Sequence, residues 1–169
     1  KVIYINTFTK SLSSTMRISY MVLPPELANR FLEQLSFYSC TVSNFEQYAL
    51  MRFINEGYFE KHINRMRNFY HKQRDILLDA IKRSPLSSHV TIMEEDSGLH
   101  FLLKLKMELS DKEFMQRALQ KGIKLNSLSA YYHDSPDDFA AHTFIINYSY
   151  LNTEHLAEAI NVLYDCIKK

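Results

Sequence analysis

Apolar residues in the first half of the chain are spaced as in two short strands followed by three helices. Residues 2–8 and 17–23 are predicted to be buried strands, and the prolines at 24 and 25 end the second one. Because the run 2–5 would carry apolar side chains on both faces, we expect it inside a parallel sheet whose other strands are not in this sequence. Helical spacing is found at about 25–38, 43–56 and 58–83. Ser43 followed by Glu46 predicts a cap for the second helix, and Gly57 predicts its end.

The second half of the chain alternates short strands with two helices. Strands are predicted at 90–93, 99–105, 123–128 and 143–150, and helices at 110–121 and 152–168. Ser84 and Pro85 break the preceding long helix and begin this half. Strand pairs separated by a helix favour a small α/β sandwich, and the polar segment 131–141 is predicted to be a loop.

Composition narrows the class of protein. At 169 residues the chain is long enough for one domain, or for a compact domain and a piece of another. With 46% hydrophobic residues it is globular, while a net charge of +1 provides no broad basic surface for nucleic acid. The two cysteines and seven histidines show no metal-ligand spacing, and no run reaches the length of a membrane span. We therefore expect a cytoplasmic protein with reduced thiols and no membrane contact.

Lys10 stands in a predicted loop between the two N-terminal strands, among hydroxyl side chains and shortly before Arg17. A lysine amine can form a Schiff base with an aldehyde, and a guanidinium has the planar fork that binds phosphate. The hydroxyls of this segment are further donors: Thr7, Thr9, Ser11, Ser13 and Ser14. A single such lysine is most often solvated, but together these residues have the layout of a pyridoxal phosphate anchor.

The surrounding sequence carries a family resemblance. Thr7-Phe-Thr-Lys-Ser-Leu, followed by Arg17-Ile-Ser-Tyr-Met-Val-Leu-Pro-Pro-Glu-Leu, resembles the cofactor-lysine segment of fold type I aminotransferases, in particular the aminotransferase-like domain of MocR/GabR-type regulators of the GntR family. Segments beginning at Phe53, Gly98 and Leu128 are similar to other parts of that domain. The resemblance covers nearly the whole chain, and the joint occurrence of these segments is far more specific than any one of them.

The resemblance implies an α/β chain that is a C-terminal fragment of the fold type I, pyridoxal-phosphate-dependent aminotransferase fold. Residues 1–56 would end the large cofactor-binding domain, 57–84 would form a long connecting helix, and 85–169 would be the small α/β sandwich domain. The chain's direct entry into a strand, without a starting Met, fits such a fragment. The resemblance also implies that Lys10 carries pyridoxal 5'-phosphate, that Arg17 and Thr7 hold its phosphate, and that the protein is a homodimer.

Two departures from the family limit what the resemblance implies about activity. Aminotransferases usually hold the substrate carboxylate with an arginine in a late strand of the form Arg-Ile-Asn-Phe-Ser, and Ile145 stands in its position here. The family's partner for the pyridine nitrogen, its ring-stacking residue and its winged helix all precede the lysine strand. We expect an effector-sensing domain of a bacterial transcriptional regulator that responds to an amino acid or amine and contacts DNA only through an N-terminal winged helix outside this chain. The alternatives are an aminotransferase acting on amino acids and a structural piece without activity of its own.

Overall fold

The structure is a computed structural model and describes residues 2–96, 98–133 and 138–168. The chain forms two compact units, Lys1–Arg67 and Asn68–Lys169. The elements of the first unit are β1 (Tyr4–Thr7), α1 (Phe8–Ser11), β2 (Ser19–Val22), α2 (Pro25–Leu35) and α3 (Asn44–Asn55). Helix α4 (Tyr58–Lys82) contributes residues to both units. The second unit continues with β3 (Val90–Met93), β4 (His100–Leu105), α5 (Asp111–Gln120), β5 (Asn126–Ser127), β6 (Thr143–Asn147) and α6 (Leu156–Ile167). The predicted boundaries of the large domain at residue 56 and of the connecting helix at residue 84 stay a prediction.

Strands β1 and β2 form an antiparallel pair, with Tyr4 opposite Val22 and Thr7 opposite Ser19. The connection between them is too short for the crossover that parallel neighbours need, which takes about a dozen residues or more. All four residues of β2 and three of the four in β1 are exposed. Within this chain the two strands are therefore antiparallel and exposed, and the expectation that residues 2–5 lie in a parallel sheet with strands from outside this sequence stays a prediction.

Local sequence signals set the helix ends of the first unit. Helix α2 begins at Pro25, whose fixed φ suits the first helical position. The Oγ of Ser43 accepts from the N–H of Glu46 at 3.2 Å and donates to the Glu46 carboxylate at 3.0 Å. Gly57 adopts a φ of +75°, which L side chains rarely take, and follows the last turn of α3. The predicted start and end of this helix are confirmed.

The first unit has no closed hydrophobic core of its own. Among its described residues only Ile18 and Leu50 are buried hydrophobic side chains, and α2 buries none. Large apolar side chains are exposed on both its strands and its helices; Ile5 is 68% exposed and Phe45 is 83% exposed. Such a surface is typical of protein that packs against further protein.

The second unit is built on a four-stranded antiparallel sheet in the order β3-β4-β6-β5. Its core contains three fully buried phenylalanines, Phe101 on β4, Phe114 on α5 and Phe144 on β6. The rings of Phe114 and Phe144 pack with centroids 5.1 Å apart, which joins helix α5 to the sheet. Residues of α4 and α6 belong to the same core cluster. This is the small α/β sandwich that the sequence predicts.

Two strands of this unit are shorter than the sequence predicts. The run 123–128 forms only the two residues of β5, and its last residue, Leu128, begins a 3-10 turn that continues to Tyr131. The Oγ of Ser127 caps this turn by accepting from the N–H of Ser129 at 3.3 Å, a local bond that competes with strand pairing. Strand β6 ends at Asn147, whose side-chain oxygen accepts from the N–H of Ser149 at 2.8 Å. Of the predicted loop 131–141, residues 134–137 lie outside the described residues.

Three further findings bear on function. Within the described residues, none of the helices combines the length and the apolar character needed to cross a membrane. Cys40 is an exposed free thiol and Cys166 a buried one, and burial raises the pKa of the Cys166 thiol. Among the described residues, no group of three or more His, Cys, Asp or Glu side chains is placed to hold a metal ion.

Candidate cofactor site

Lys10 lies on the single helical turn α1, directly after strand β1. The prediction of a loop at this position is corrected, because Thr7 acts as the N-cap and the N–H of Leu12 donates to the carbonyl of Phe8 at 2.8 Å. A threonine cap satisfies one of the amide groups that a helix start leaves unpaired, which favours a turn here. The Lys10 side chain is exposed on this turn.

Hydroxyl groups fasten the turn to the segment that leads into β2. The Oγ1 of Thr7 donates to the carbonyl of Ile18 at 3.1 Å, and the Oγ1 of Thr9 donates to the carbonyl of Met16 at 3.0 Å. The N–H of Phe8 donates to the same Ile18 carbonyl at 2.9 Å. We call the two threonine bonds the threonine brace. They fix the backbone on which Lys10 is carried.

Lys10 and Arg17 have no charged or hydrogen-bonding partner among the described residues. Both side chains are exposed, and neither makes a hydrogen bond or ion pair with any residue that the structure describes. The hydroxyls of Ser11 and Ser14 likewise have no hydrogen-bond partner in that part of the chain. An amine, a guanidinium and two hydroxyls are thus available to a ligand. This donor set fits the aldehyde and the phosphate of pyridoxal phosphate.

Thr7, the third predicted site residue, already uses its hydroxyl proton within the turn. A threonine has one O–H to donate, and a phosphate needs a donor. A phosphate contact from Thr7 therefore requires its hydroxyl to leave the Ile18 carbonyl, and the role stays a prediction. The same holds for Thr9, whose proton goes to Met16. Sequence reasoning missed this bracing role, although a threonine at a cap position was a signal that could have indicated it.

Phe8, the first residue of the turn, packs against two other aromatic rings. The ring of Phe8 lies 5.5 Å from that of Tyr20 and 5.7 Å from that of Phe59, between ring centroids. A cavity of about 540 Å³ opens beside Phe8 and Tyr20. Neither Lys10 nor Arg17 lines this cavity, so it is distinct from the free cationic groups.

Position 145, where the resembling family carries an arginine, is apolar in the second unit. Ile145 lies in β6 and pairs with Leu102 of β4 on one side and Asn126 of β5 on the other. An apolar side chain cannot neutralise a carboxylate. Strand position 145 therefore offers no charge to an amino acid.

Arg74, a guanidinium in the same unit that is only 15% exposed, is already engaged. Its Nη1 donates to Oδ1 of Asp96 at 2.8 Å, and its Nε and Nη2 donate to Oδ1 of Asp75 at 3.1 and 3.0 Å. The hydrogen bond to Asp75 is the main reason why the pKa of Arg74 is raised. The charge of Arg74 is thus already balanced by two carboxylates of its own unit, which makes it a poor substitute for an arginine at position 145.

Comparison with known proteins indicates the same family as the resemblance. No family model matches the chain. It is 43% identical over 136 residues to the uncharacterized HTH-type transcriptional regulator YdeL of Bacillus subtilis, covering 80% of this chain and 29% of that protein. It is 33% identical over 163 residues to the probable rhizopine catabolism regulatory protein MocR of Rhizobium meliloti, covering 96% of this chain and 32% of that protein.

A solved structure gives the fold. The kynurenine aminotransferase of Pyrococcus horikoshii matches with a TM-score of 0.78 and 29% identity, over 99% of this chain and 40% of that one. The chain thus spans about a third of the length of the regulators and 40% of the aminotransferase. The predicted C-terminal fragment of the fold type I aminotransferase fold is confirmed. By sequence and fold, the chain belongs with the aminotransferase-like domains of MocR-type regulators, as a C-terminal part of that domain.

Proposed function

We propose that this chain is the pyridoxal-phosphate-binding, effector-sensing part of a bacterial transcriptional regulator. The observation that carries the proposal is the braced turn that holds Lys10, an exposed lysine without a partner among the described residues, close in sequence to the equally unpartnered Arg17. Charged groups that have no partner among the described residues keep their donors available for a ligand. Regulator relatives at 43% and 33% identity support the same conclusion.

Each residue has a defined task in this proposal. When bound, pyridoxal phosphate supplies an aldehyde that condenses with primary amines. Lys10 provides the amine that holds the cofactor, and that amine reacts only in its neutral form. Arg17 holds the phosphate with its guanidinium, and Ser11 and Ser14 can donate to the same group. The threonine brace keeps the Lys10 backbone in one conformation, which reduces the entropy lost on binding.

A signalling role is favoured over turnover by the apolar residue at position 145. An amine effector would compete with the Lys10 amine for the bound cofactor, so its presence would change whether that amine is engaged or free. The effector acts on DNA binding only through a difference in its affinity for two states of the protein. The DNA-binding winged helix would lie outside this chain, and we further propose a homodimer in the cytoplasm. The effector would be an amine or an amino acid whose carboxylate is bound by some other group.

The second candidate is an aminotransferase acting on amino acids. The likeness to the Pyrococcus horikoshii enzyme favours this candidate, because a sequence identity of 29% indicates more than a shared fold. In that case Lys10 would also move a proton on the substrate, and a residue other than Ile145 would bind the carboxylate.

The deciding experiment uses the complete polypeptide with pyridoxal phosphate. Borohydride reduction followed by peptide mapping should attach the cofactor at Lys10 in the wild type and nowhere in Lys10→Ala. Lys61→Ala is the matched control, because Lys61 is an exposed lysine of the same unit whose ammonium faces the ring of Tyr58. Labelling at another lysine would refute the cofactor assignment.

Amines and amino acids are then added to the loaded protein. A change in DNA affinity without formation of an oxo acid supports the regulator. Stoichiometric turnover to an oxo acid with unchanged DNA affinity would refute it in favour of the enzyme.

A further inference from the structure

The carboxylate of Asp111 joins three separate segments of the second unit. Its Oδ2 accepts from the hydroxyls of Ser127 at 2.8 Å and Ser129 at 3.2 Å. Its Oδ1 accepts from the backbone N–H of His142 at 3.1 Å and from Nδ1 of the same residue at 3.0 Å. The side chain of Asp111 is only 17% exposed. One carboxylate thus lies within hydrogen-bond distance of two hydroxyls, a backbone N–H and an imidazole nitrogen from residues distant in sequence, and the two hydroxyls also share a hydrogen bond with each other.

Capping of helix α5 does not account for this arrangement. Ser110 is the N-cap, and its Oγ accepts from the N–H of Glu113 at 3.3 Å. The Glu113 carboxylate reaches back to the N–H of Ser110 at 3.2 Å, which completes a capping box. The helix start is therefore satisfied without the oxygens of Asp111, which are free to bind other segments.

His142 has a backbone conformation that depends on this carboxylate. Its φ is +58°, in the left-handed region that residues other than glycine seldom occupy. Such a strained residue persists only where the surrounding structure holds it in place. Here both its N–H and its ring donate to the same Asp111 oxygen. The carbonyl of His142 accepts from the N–H of Leu105 on β4 at 2.9 Å, so the backbone of His142 is also bonded to the sheet.

On the other side, Asp111 holds the 3-10 turn that follows β5. Ser127 is 2% exposed, and its hydroxyl lies 2.6 Å from that of Ser129. The N–H of Tyr132 donates to the carbonyl of Ser129 at 3.2 Å, so the turn fixed by Asp111 also sets the backbone of Tyr132. Tyr131, beside it, is 71% exposed. Removal of the carboxylate would leave the buried Ser127 hydroxyl without its charged acceptor, which is a costly loss.

We propose that Asp111 is a conformational latch of the second unit: it holds the turn before the exposed tyrosines and the left-handed His142 in one joint arrangement, and its loss releases both together. Asp111 is accordingly a positioning residue for Tyr131 and Tyr132. The inference rests on contacts within this unit alone and does not depend on the cofactor proposal.

Amide hydrogen exchange in the full chain tests the latch. In Asp111→Ala, the amides of Ser129, Tyr132 and Leu105 should exchange at least about tenfold faster, a change equivalent to about 1.4 kcal/mol. The matched control is Glu113→Ala, which removes the capping box from the same helix end and leaves the latch contacts in place. In this control the helix start should exchange faster while those three amides stay unchanged.

A second variant keeps the test decisive if Asp111→Ala folds poorly. His142→Gly removes the left-handed penalty but also loses the ring contact with Asp111. In the Asp111→Asn background, which keeps the shape of the side chain, it should slow exchange of the Leu105 amide, whereas in the wild type it should not. Equal effects of His142→Gly in both backgrounds, or a change in Asp111→Ala no larger than in Glu113→Ala, would overturn the proposal.

Discussion

The threonine brace leads to a specific prediction for Thr9→Val. Valine has nearly the same shape as threonine but cannot donate, so the Met16 carbonyl loses the 3.0 Å bond from the Thr9 hydroxyl. The hydroxyl of Thr7 also loses the Thr9 oxygen, 3.0 Å away, but its single proton keeps an acceptor in the Ile18 carbonyl at 3.1 Å, so the net loss is about one hydrogen bond. A partly buried neutral hydrogen bond contributes about 1 kcal/mol, which corresponds to about a fivefold change in an equilibrium constant.

Two measurements on the complete polypeptide separate bracing from direct contact. Pyridoxal phosphate affinity, titrated by visible absorbance, should fall about fivefold in Thr9→Val, because a looser turn must be ordered on binding. Amide exchange at Phe8, whose N–H donates to Ile18, should accelerate by a similar factor. Thr15→Val is the matched control, since the Thr15 hydroxyl is exposed and bonds only to Ser13 at 2.7 Å.

The size of the effect decides the interpretation. A loss of cofactor affinity of about a hundredfold would correspond to a missing phosphate contact rather than a missing brace. An equal effect of Thr15→Val would show that any hydroxyl lost from this segment matters. Either result would refute the bracing argument.

Further expectations follow from the same structure. Lys10→Ala should abolish the visible absorbance of the cofactor-loaded polypeptide, and an unchanged spectrum would exclude Lys10 as the attachment point. The 169-residue chain alone should bind pyridoxal phosphate poorly, because the family's partners for the cofactor ring precede the lysine strand; tight stoichiometric binding in an absorbance titration would contradict this. Light scattering should show a homodimer or larger assembly at tens of micromolar, because the first unit exposes a large apolar surface; a clean monomer would count against it. Hydrogen bonds from Ser110 hold the pKa of Glu113 below its usual value of 4.5. The stability that the capping box contributes is therefore present above about pH 4.5 and is lost as the pH falls through the lowered pKa. Unfolding of the wild type and Glu113→Gln should therefore differ at pH 7 and converge in acid.

The sequence by itself determined the features that depend on near neighbours. Ser43 and Ser110 cap their helices through bonds to residues three positions later, and such contacts can be read directly from spacing. The apolar periodicity of helix α4 and strand β3 likewise gave their positions almost to the residue. The family resemblance could be recognised from the segment around Lys10, because the residues that would bind the cofactor, Thr7, Lys10 and Arg17, lie close together in the sequence.

Only the tertiary structure decided the features that rest on contacts between distant residues. The order β3-β4-β6-β5 and the shortening of the predicted strand 123–128 to Asn126–Ser127 depend on pairing partners that periodicity does not specify. The same is true of Asp111, which in sequence is an ordinary acidic residue of a first helical turn and in the fold meets a serine turn and His142. Strand edges and carboxylate oxygens can each bond to many partners, so the choice among them is made only when the whole unit packs.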